Sequence, residues 1–475
     1  MAKVTFLEPP PCTDRTPERY AGCSYELYHF PDLGNLYPMT CLDKAGVQTA
    51  YWDCAMEKPK LDQAGFLDRI AKDDSDYYVI HAVVLAKPTD LFYIPEILKR
   101  RPDAKILLHG PEATRVPNEY LTDARIIVFR GEIEKPLVTY FQTGRLVGAS
   151  WLENGAVRHV PHEDAGYEMD ELPIPRRDHP SLKPFMFDYL NPKFSEGPFT
   201  TALASRGCSF RCKFCVPISI SFAREIEEGT NGKTTRVKKA SPARVIEEAI
   251  YLKDLGYKSI HFTDDQFLWE KPRTLAILAG LKPLGLKWGC LSRADFLTDE
   301  EVIQAMAEAG CVSVDIGVES LNQKTLDDIR KDLKVEDVYT AVDLLNKHGI
   351  EPKLNIMFGT SPTESQEDML ETVSKLRKMD VRNVMFSIAT PFKGSEFYRY
   401  VKENGFLIDD SDAINPMGKS MISYPTMTKE HLERLEKLAY RSFYLRPGQV
   451  VNRLKRVRSP AQLVEAARIA YRILT

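Results

Sequence analysis

FTTALASRGCSFRCKFCVP, residues 199–217, is an apolar, β-branched run followed at once by three thiols, Cys208, Cys212 and Cys215. FTTALAS has the residue types of a buried strand. The thiols are spaced C-x3-C-x2-C, with no fourth Cys or His close behind. A structural zinc site is closed by four ligands, and a cuboidal iron–sulfur cluster ordinarily takes four thiolates. Three thiolates would leave one iron of a [4Fe–4S] cluster open to a ligand that is not protein. Half of a zinc knuckle is the competing reading. Against it, His179 and His261 lack finger spacing from the triplet, and Phe210 and Phe214 between the thiols suit a cluster shielded from water.

Outward from that strand the pattern repeats. KSIHFTDD, LKWGCLSRA, VSVDIGVES, PKLNIMFG and NVMFSIAT are further strand candidates within residues 197–400. Helical stretches lie between them. SPARVIEEAIYLKDLG opens with a Ser-Pro cap and ends at Gly256, and TDEEVIQAMAEAG opens with a Thr-x-x-Glu capping box and ends at Gly310. Six strand–helix units make a partial (β/α)6 barrel. The triplet follows the first strand, on the carboxyl-end face where barrel active sites sit. Cys290 and Cys311 are expected to be buried structural thiols.

Residues 1–145 also alternate: KVTFLEP, VQTAYWDCA, DYYVIHAVVLA, AKILLHG and ARIIVFRGE are strands with helices between them. This is an α/β pattern, a doubly wound parallel sheet. Its ligands belong at the carboxyl ends of the strands. The residues there are Pro9, Pro10, Val83, Val84, Leu85, Gly110, Pro111, Glu112, Arg130, Gly131 and Glu132. Residues 146–196 form a linker with a hairpin at Asn154-Gly155, in which Arg176 and Arg177 are expected to be solvated. Residues 401–475 read as a helical C-terminal region, with a basic run at Arg453, Lys455, Arg456 and Arg458 that fits a solvated face.

The 475 residues are 43% hydrophobic and 28% charged, with a net charge of −3. That balance speaks against nucleic acid as the main partner. No stretch approaches the ~20 apolar residues of a membrane span. MAKVTFLEPPPC has no apolar h-region, which speaks against a secretory signal. Nine cysteines without a regular framework fit a reducing cytoplasm.

The triplet, with an aromatic before its last Cys on a six-stranded barrel, resembles the radical S-adenosylmethionine (SAM) superfamily. The resemblance spans residues 197–400. It implies that Cys208, Cys212 and Cys215 hold a [4Fe–4S] cluster whose open iron is chelated by SAM. One electron then releases a 5′-deoxyadenosyl radical. HFTDDQF with Asp264, LSRAD with Ser292 and Arg293, DIGVES with Glu319 and IMFGTSPTE with Gly359 resemble the family's successive strand-end elements. These residues and Phe214 are thereby implied in SAM binding. Ser361 before Pro362, and Phe392 and Lys393 in ATPFKGSEFY, depart from the family pattern.

HGPEATRVPNEYL followed by VFRGEIEKPL resembles a cobalamin-binding domain, although His109 and Glu112 depart from that pattern. The two halves together resemble the branch that contains the anaerobic magnesium-protoporphyrin ester cyclase and hopanoid-modifying enzymes. Cobalamin is then implied at the eleven strand-end residues above. The chain lacks D-x-H-x-x-G, so no histidine is expected to ligate cobalt. The resemblance implies C-methylation of an unactivated carbon in a small-molecule or lipid substrate. Alternatives are radical cyclisation or rearrangement and, more remotely, tRNA methylthiolation, for which Cys12, Cys23, Cys41 and Cys54 would have to supply a second cluster. An external donor such as flavodoxin or ferredoxin would deliver the electron.

Overall fold

The computed structural model describes residues 2–12, 21–23, 26–162, 167–191, 193–194, 197–215, 237–411 and 418–456. Two large sheets organise it, the first mostly and the second wholly parallel. The first contains β1 (Lys3–Glu8), β4 (Gln48–Asp53), β5 (Tyr77–His81), β6 (Lys105–His109), β7 (Ile126–Phe129), β8 (Ala149–Glu153) and β9 (Ala156–Val160), in the order β4-β1-β5-β6-β7-β8-β9. A short pair, β2 (Ala21–Cys23) and β3 (Glu26–Tyr28), stands apart. The strands from β4 to β7 run parallel, because helices return the chain between them. Those helices cover both faces. Phe66, Tyr93 and Ile97 pack on one side, and Leu36, Leu42 and Leu137 on the other. In this doubly wound order the strand sequence reverses between β1 and β5, where such sheets take ligands.

The hairpin expected at Asn154-Gly155 is present, with both residues at positive φ (51° and 75°). It is more than part of a linker: β8 and β9 extend the first sheet through antiparallel pairing with β7. Arg177 also differs from expectation. It is buried, donates to Thr201 O at 2.7 Å and to Glu248 Oε1 at 3.0 Å, and so pins the linker to the second sheet. The planar fork reaches Pro175 O, Thr201 O and Glu248 at once, a reach that a lysine's single ammonium lacks. Arg176 stays half-exposed beside Asp43 and Asp178.

The second sheet holds β10 (Phe199–Ala202), β13 (Ser259–Phe262), β14 (Lys287–Ser292), β15 (Cys311–Glu319), β16 (Glu351–Phe358) and β17 (Asn383–Ile388) in chain order, all parallel. β11 (Ser205–Arg206) and β12 (Lys238–Lys239) form a small ladder just beyond β10. All six strands expected from the sequence form the partial barrel. Helix Pro242–Leu255 starts at the Ser241 cap and stops at Gly256, with φ 104°. Helix Glu300–Glu308 is capped by Asp299 and not by Thr298: the Asp299 carboxylate accepts from the Glu301 and Val302 amides. Thr298 donates instead to Asp295 O. The described residues after 418 are mainly helical (Lys429–Tyr444 and Pro447–Arg456). PAQLVEAARIAYRIL and Arg458 lie outside the described residues, and none of the described helices is long and apolar enough to cross a membrane.

Strand parity divides the barrel. Ile260, Phe262, Trp288, Cys290, Val314, Ile316, Leu354 and Phe386 join the apolar core, and Cys311 is buried with them. The alternate positions, among them His261, Ser313, Asp315 and Lys353, are also buried and are polar. Burial pushes the His261 imidazole down to about 3 from 6.5. The unfolded chain therefore takes up this proton first as pH falls, and His261's contribution to stability is lost between pH 6.5 and 3. Denaturant unfolding across that window should show up to ~1.4 kcal/mol per pH unit from this group. His261→Gln should lack that part of the slope.

Candidate active site

The thiol loop is fixed from the strands beneath it. Asp264, just past β13, accepts the Ala204 amide at 3.1 Å and the Ser205 hydroxyl at 2.6 Å. Burial pushes its carboxyl up to about 7. Further along, the Lys213 amide donates to Ile329 O at 3.0 Å and Lys213 O accepts from the Phe397 amide at 2.9 Å. Cys215 turns back on Cys212 through a 3.1 Å backbone bond. Phe210 lies beneath the Arg293 guanidinium at 3.6 Å, and Lys331 Nζ stands 5.9 Å over Phe214.

Burial raises the pKa of Cys208 and Cys212, while Lys331 and Arg293 pull Cys212 the other way. Two cations beside the thiols favour the thiolate, the form that binds metal. Among the described residues, the trio whose ligand atoms all lie within 4.8 Å of one another is Glu8, His29 and Asp53. Three free thiols on one loop, with neighbouring cations, fit a [4Fe–4S] group with one open iron.

Glu319 ends β15 with φ 69°, at a bulge between Gly317 and Glu319. A side chain there holds such a conformation only at a cost, and such residues gather at functional sites. Its Oε1 lies 2.9 Å from Lys331 Nζ. A Cβ on Gly317 would come 2.9 Å from that oxygen and 3.0 Å from Lys331 Nζ, so the pair packs directly against the glycine. Arg293 reaches Lys331 O at 2.6 Å and Asp332 O at 2.7 Å. Phe214, Arg293 and Glu319 therefore gather at the thiols with Lys331, a residue that no sequence motif marked. Asp264 and Ser292 sit behind them; Ser292 donates to Arg293 O at 3.1 Å. Gly359, at φ 75°, lies under Leu432 of helix Lys429–Tyr444.

The first sheet turns its carboxyl edge toward this region. Val84 and Arg115 share a crevice with Pro391, Lys393 and Tyr398 from beyond β17. Pro9 and Pro10 are buried beside the switch point, whereas Val83, Val84 and Leu85 remain half-exposed and apolar. Gly131 N donates to Thr114 Oγ1 at 3.0 Å. Glu112, next to Pro111, pairs with Arg115 and Lys87. Glu132 reaches across to Arg206 and Lys238. Arg130 points away from the edge: it donates to Ala149 O, Ser150 Oγ and Val160 O within the β8–β9 hairpin, which binds its charge into the sheet.

His81 and His109, at the ends of β5 and β6, stack at 4.7 Å. Asp32 Oδ2 lies 2.7 Å from His81 Nδ1, and Asn35 Oδ1 lies 3.0 Å from His109 Nε2. The pair escaped the sequence reading because each histidine closes an ordinary strand. Gly110 makes the stack possible. It has φ 97°, and a Cβ there would fall 2.3 Å from His81 Cδ2 and 2.8 Å from Ala82 O. Gly110→Ala should lower stability by more than ~1 kcal/mol in a urea melt.

Residues 203–374 match the profile of the Radical SAM superfamily. An uncharacterized methyltransferase of Pyrococcus horikoshii is 31% identical over 399 residues, 80% of this chain and 81% of that protein. The anaerobic magnesium-protoporphyrin IX monomethyl ester cyclase of Rubrivivax gelatinosus is 25% identical over 362 residues, 70% of this chain and 62% of that protein. Among solved structures, the radical SAM methyltransferase TsrM from Kitasatospora setae, with cobalamin and a [4Fe–4S] cluster bound, superposes with a TM-score of 0.67 at 17% identity, covering 92% of this chain and 82% of that one. The cobalamin-dependent SAM radical enzyme OxsB, with aqua-cobalamin and SAM bound, gives 0.61 at 16% identity, covering 93% and 61%. At these identities the likeness is one of fold.

Proposed function

The chain belongs to the radical SAM superfamily, and on that premise we propose that it C-methylates an unactivated carbon of a biosynthetic intermediate with cobalamin as its second cofactor. The observation that carries this reading is the opposition of two carboxyl edges. The thiol loop stands on one, the apolar strand ends Val83, Val84 and Leu85 on the other, and Arg206, Lys238, Glu132 and Glu134 join them. The half-exposed apolar residues at the switch point are suited to a large flat ring. Methyltransferase and cobalamin in the names of the relatives support the same assignment.

When bound, the cluster supplies the electron that cleaves the sulfonium of SAM, and cobalamin supplies the methyl group to be transferred. The protein's part is placement. Cys208, Cys212 and Cys215 would hold the cluster, with Lys331 and Arg293 balancing its charge. Phe214, Glu319 and Arg293 would flank SAM, with Asp264, Ser292 and Gly359 fixing the loops behind them. Pro9, Pro10, Val83, Val84, Leu85, Gly110, Pro111 and Gly131 would line the cobalamin side, with Glu112, Arg130 and Glu132 holding that edge in place. A small protein donor of the flavodoxin or ferredoxin kind would deliver the electron, in a reducing cytoplasm.

The test is anaerobic reconstitution with iron, sulfide and hydroxocobalamin, followed by gel filtration and optical spectroscopy. Equimolar bound cobalamin is expected. A protein that carries its cluster and leaves saturating cobalamin in solution would sink the methyl-transfer reading.

A further inference from the structure

Barrel interiors are ordinarily filled by bulky branched side chains. This one carries a charged cluster. Lys193, from the segment before β10, and Lys353, on β16, place their Nζ atoms 2.5 and 3.3 Å from the same oxygen of Asp315 on β15. Asp315 is ionised: burial opposes its charge, but Lys193 and Lys353 hold the carboxyl far below its usual range. His261 faces this group as a neutral ring. Two ammonium groups thus share one carboxylate, and among the described residues the cluster keeps one positive charge in excess.

Among the described residues, three polar atoms here have no hydrogen-bond partner: His261 Nδ1, Ser313 Oγ and Asp315 Oδ1. Their residues are only 2%, 7% and 7% exposed. The strand between His261 and Ser313 presents Gly289, whose added Cβ would lie 2.9 Å from Ser313 Oγ and 3.2 Å from His261 Nδ1. No side chain therefore separates the two. A buried excess charge and orphaned polar atoms both oppose folding unless something satisfies them.

We propose that this cluster is the anchor of the substrate, and that it takes an oxyanion, carboxylate or phosphate, with an N–H or O–H donor beside it. Lys193 and Lys353 bind the oxyanion. Ionised Asp315 can only accept, so its Oδ1 takes the donor. Above the anchor, Asn355, Met357, Met385 and Ser387 are half-exposed at the alternate positions of β16 and β17. From Asp315 to Glu319 the strand rises roughly 13 Å, so the anchor lies about that far below the end of β15 that meets the thiol loop. This inference rests on the reading of the barrel as catalytic.

Titration calorimetry of the anaerobically reconstituted full chain tests it, with lactate, propionate, inorganic phosphate and propionamide as probes. Saturable binding is expected for the anions, tighter for lactate than for propionate, and none for propionamide. Phosphate outcompeting lactate would identify a phosphoryl group as the source; the reverse would identify a carboxylate. Lys353→Met and Lys193→Met should each weaken binding ~10-fold or more, and Lys193→Arg should retain it. Thermal melts show which variants are folded. Propionamide binding as well as propionate, no saturable anion binding, or folded Lys→Met variants that bind like wild type would each overturn the proposal. Reductive SAM cleavage by the wild-type protein is assayed alongside. Cleavage without anion binding removes the anchor and leaves the function; anion binding without cleavage does the reverse.

Discussion

Cys212→Ala yields a folded protein that has lost its cluster and with it all formation of 5′-deoxyadenosine. Cys212 is only partly buried and sits on a loop held by backbone bonds on either side, at Lys213 and between Cys212 and Cys215. Removing one sulfur takes little packing from the core, so the thermal melt of the metal-free protein should barely move. Two thiolates remain where three are needed. Changes to residues that merely orient metal ligands cost 10–100-fold in affinity or activity, so loss of a ligand should exceed ~100-fold. Iron analysis, the visible spectrum and quantification of 5′-deoxyadenosine check this together. Full iron content with unchanged cleavage would remove the triplet from the chemistry.

Arg206→Met should destabilise the protein by ~3–5 kcal/mol, the usual penalty for breaking a buried ion pair from one side. Arg206 is 7% exposed, lies 2.7 Å from Glu134 and 3.5 Å from Glu132, and covers the Tyr37 ring at 4.6 Å. Its loss leaves the buried Glu134 carboxylate with Tyr167 as its remaining side-chain hydrogen-bond donor. The effect is not confined to stability. Arg206 lies two residues before Cys208 and ties the thiol loop to the first sheet, so the variant should also reconstitute its cluster poorly. Arg206→Lys should recover part of the loss, since a lysine cannot bridge both glutamates with a rigid fork. Equilibrium urea unfolding checks the magnitude; a change under ~1 kcal/mol would mean that the pairs are surface-like.

Periodicity made the architecture legible. FTTALAS, KSIHFTDD, LKWGCLSRA, VSVDIGVES, PKLNIMFG and NVMFSIAT all became neighbouring parallel strands, because alternation and glycine stops are local properties. The thiols were legible for the same reason: their spacing is written within eight residues. What escaped depends on residues far apart in the chain. Lys331 meets Glu319 through a loop after the short helix Gln323–Asp328. His81 stacks on His109 because adjacent strands end level. Lys193 and Lys353 converge on Asp315 from segments that share no motif. Arg177 read as a solvated linker residue because only the folded chain brings Glu248 and Thr201 to it.

The most direct test of the central claim is product analysis by mass spectrometry under anaerobic, reducing conditions. The reconstituted protein, given SAM and a low-potential reductant, should form 5′-deoxyadenosine. With cobalamin and a substrate present, S-adenosylhomocysteine should appear in equal amount, one of each per methyl group transferred. Absence of 5′-deoxyadenosine from a preparation with a complete cluster would contradict the account.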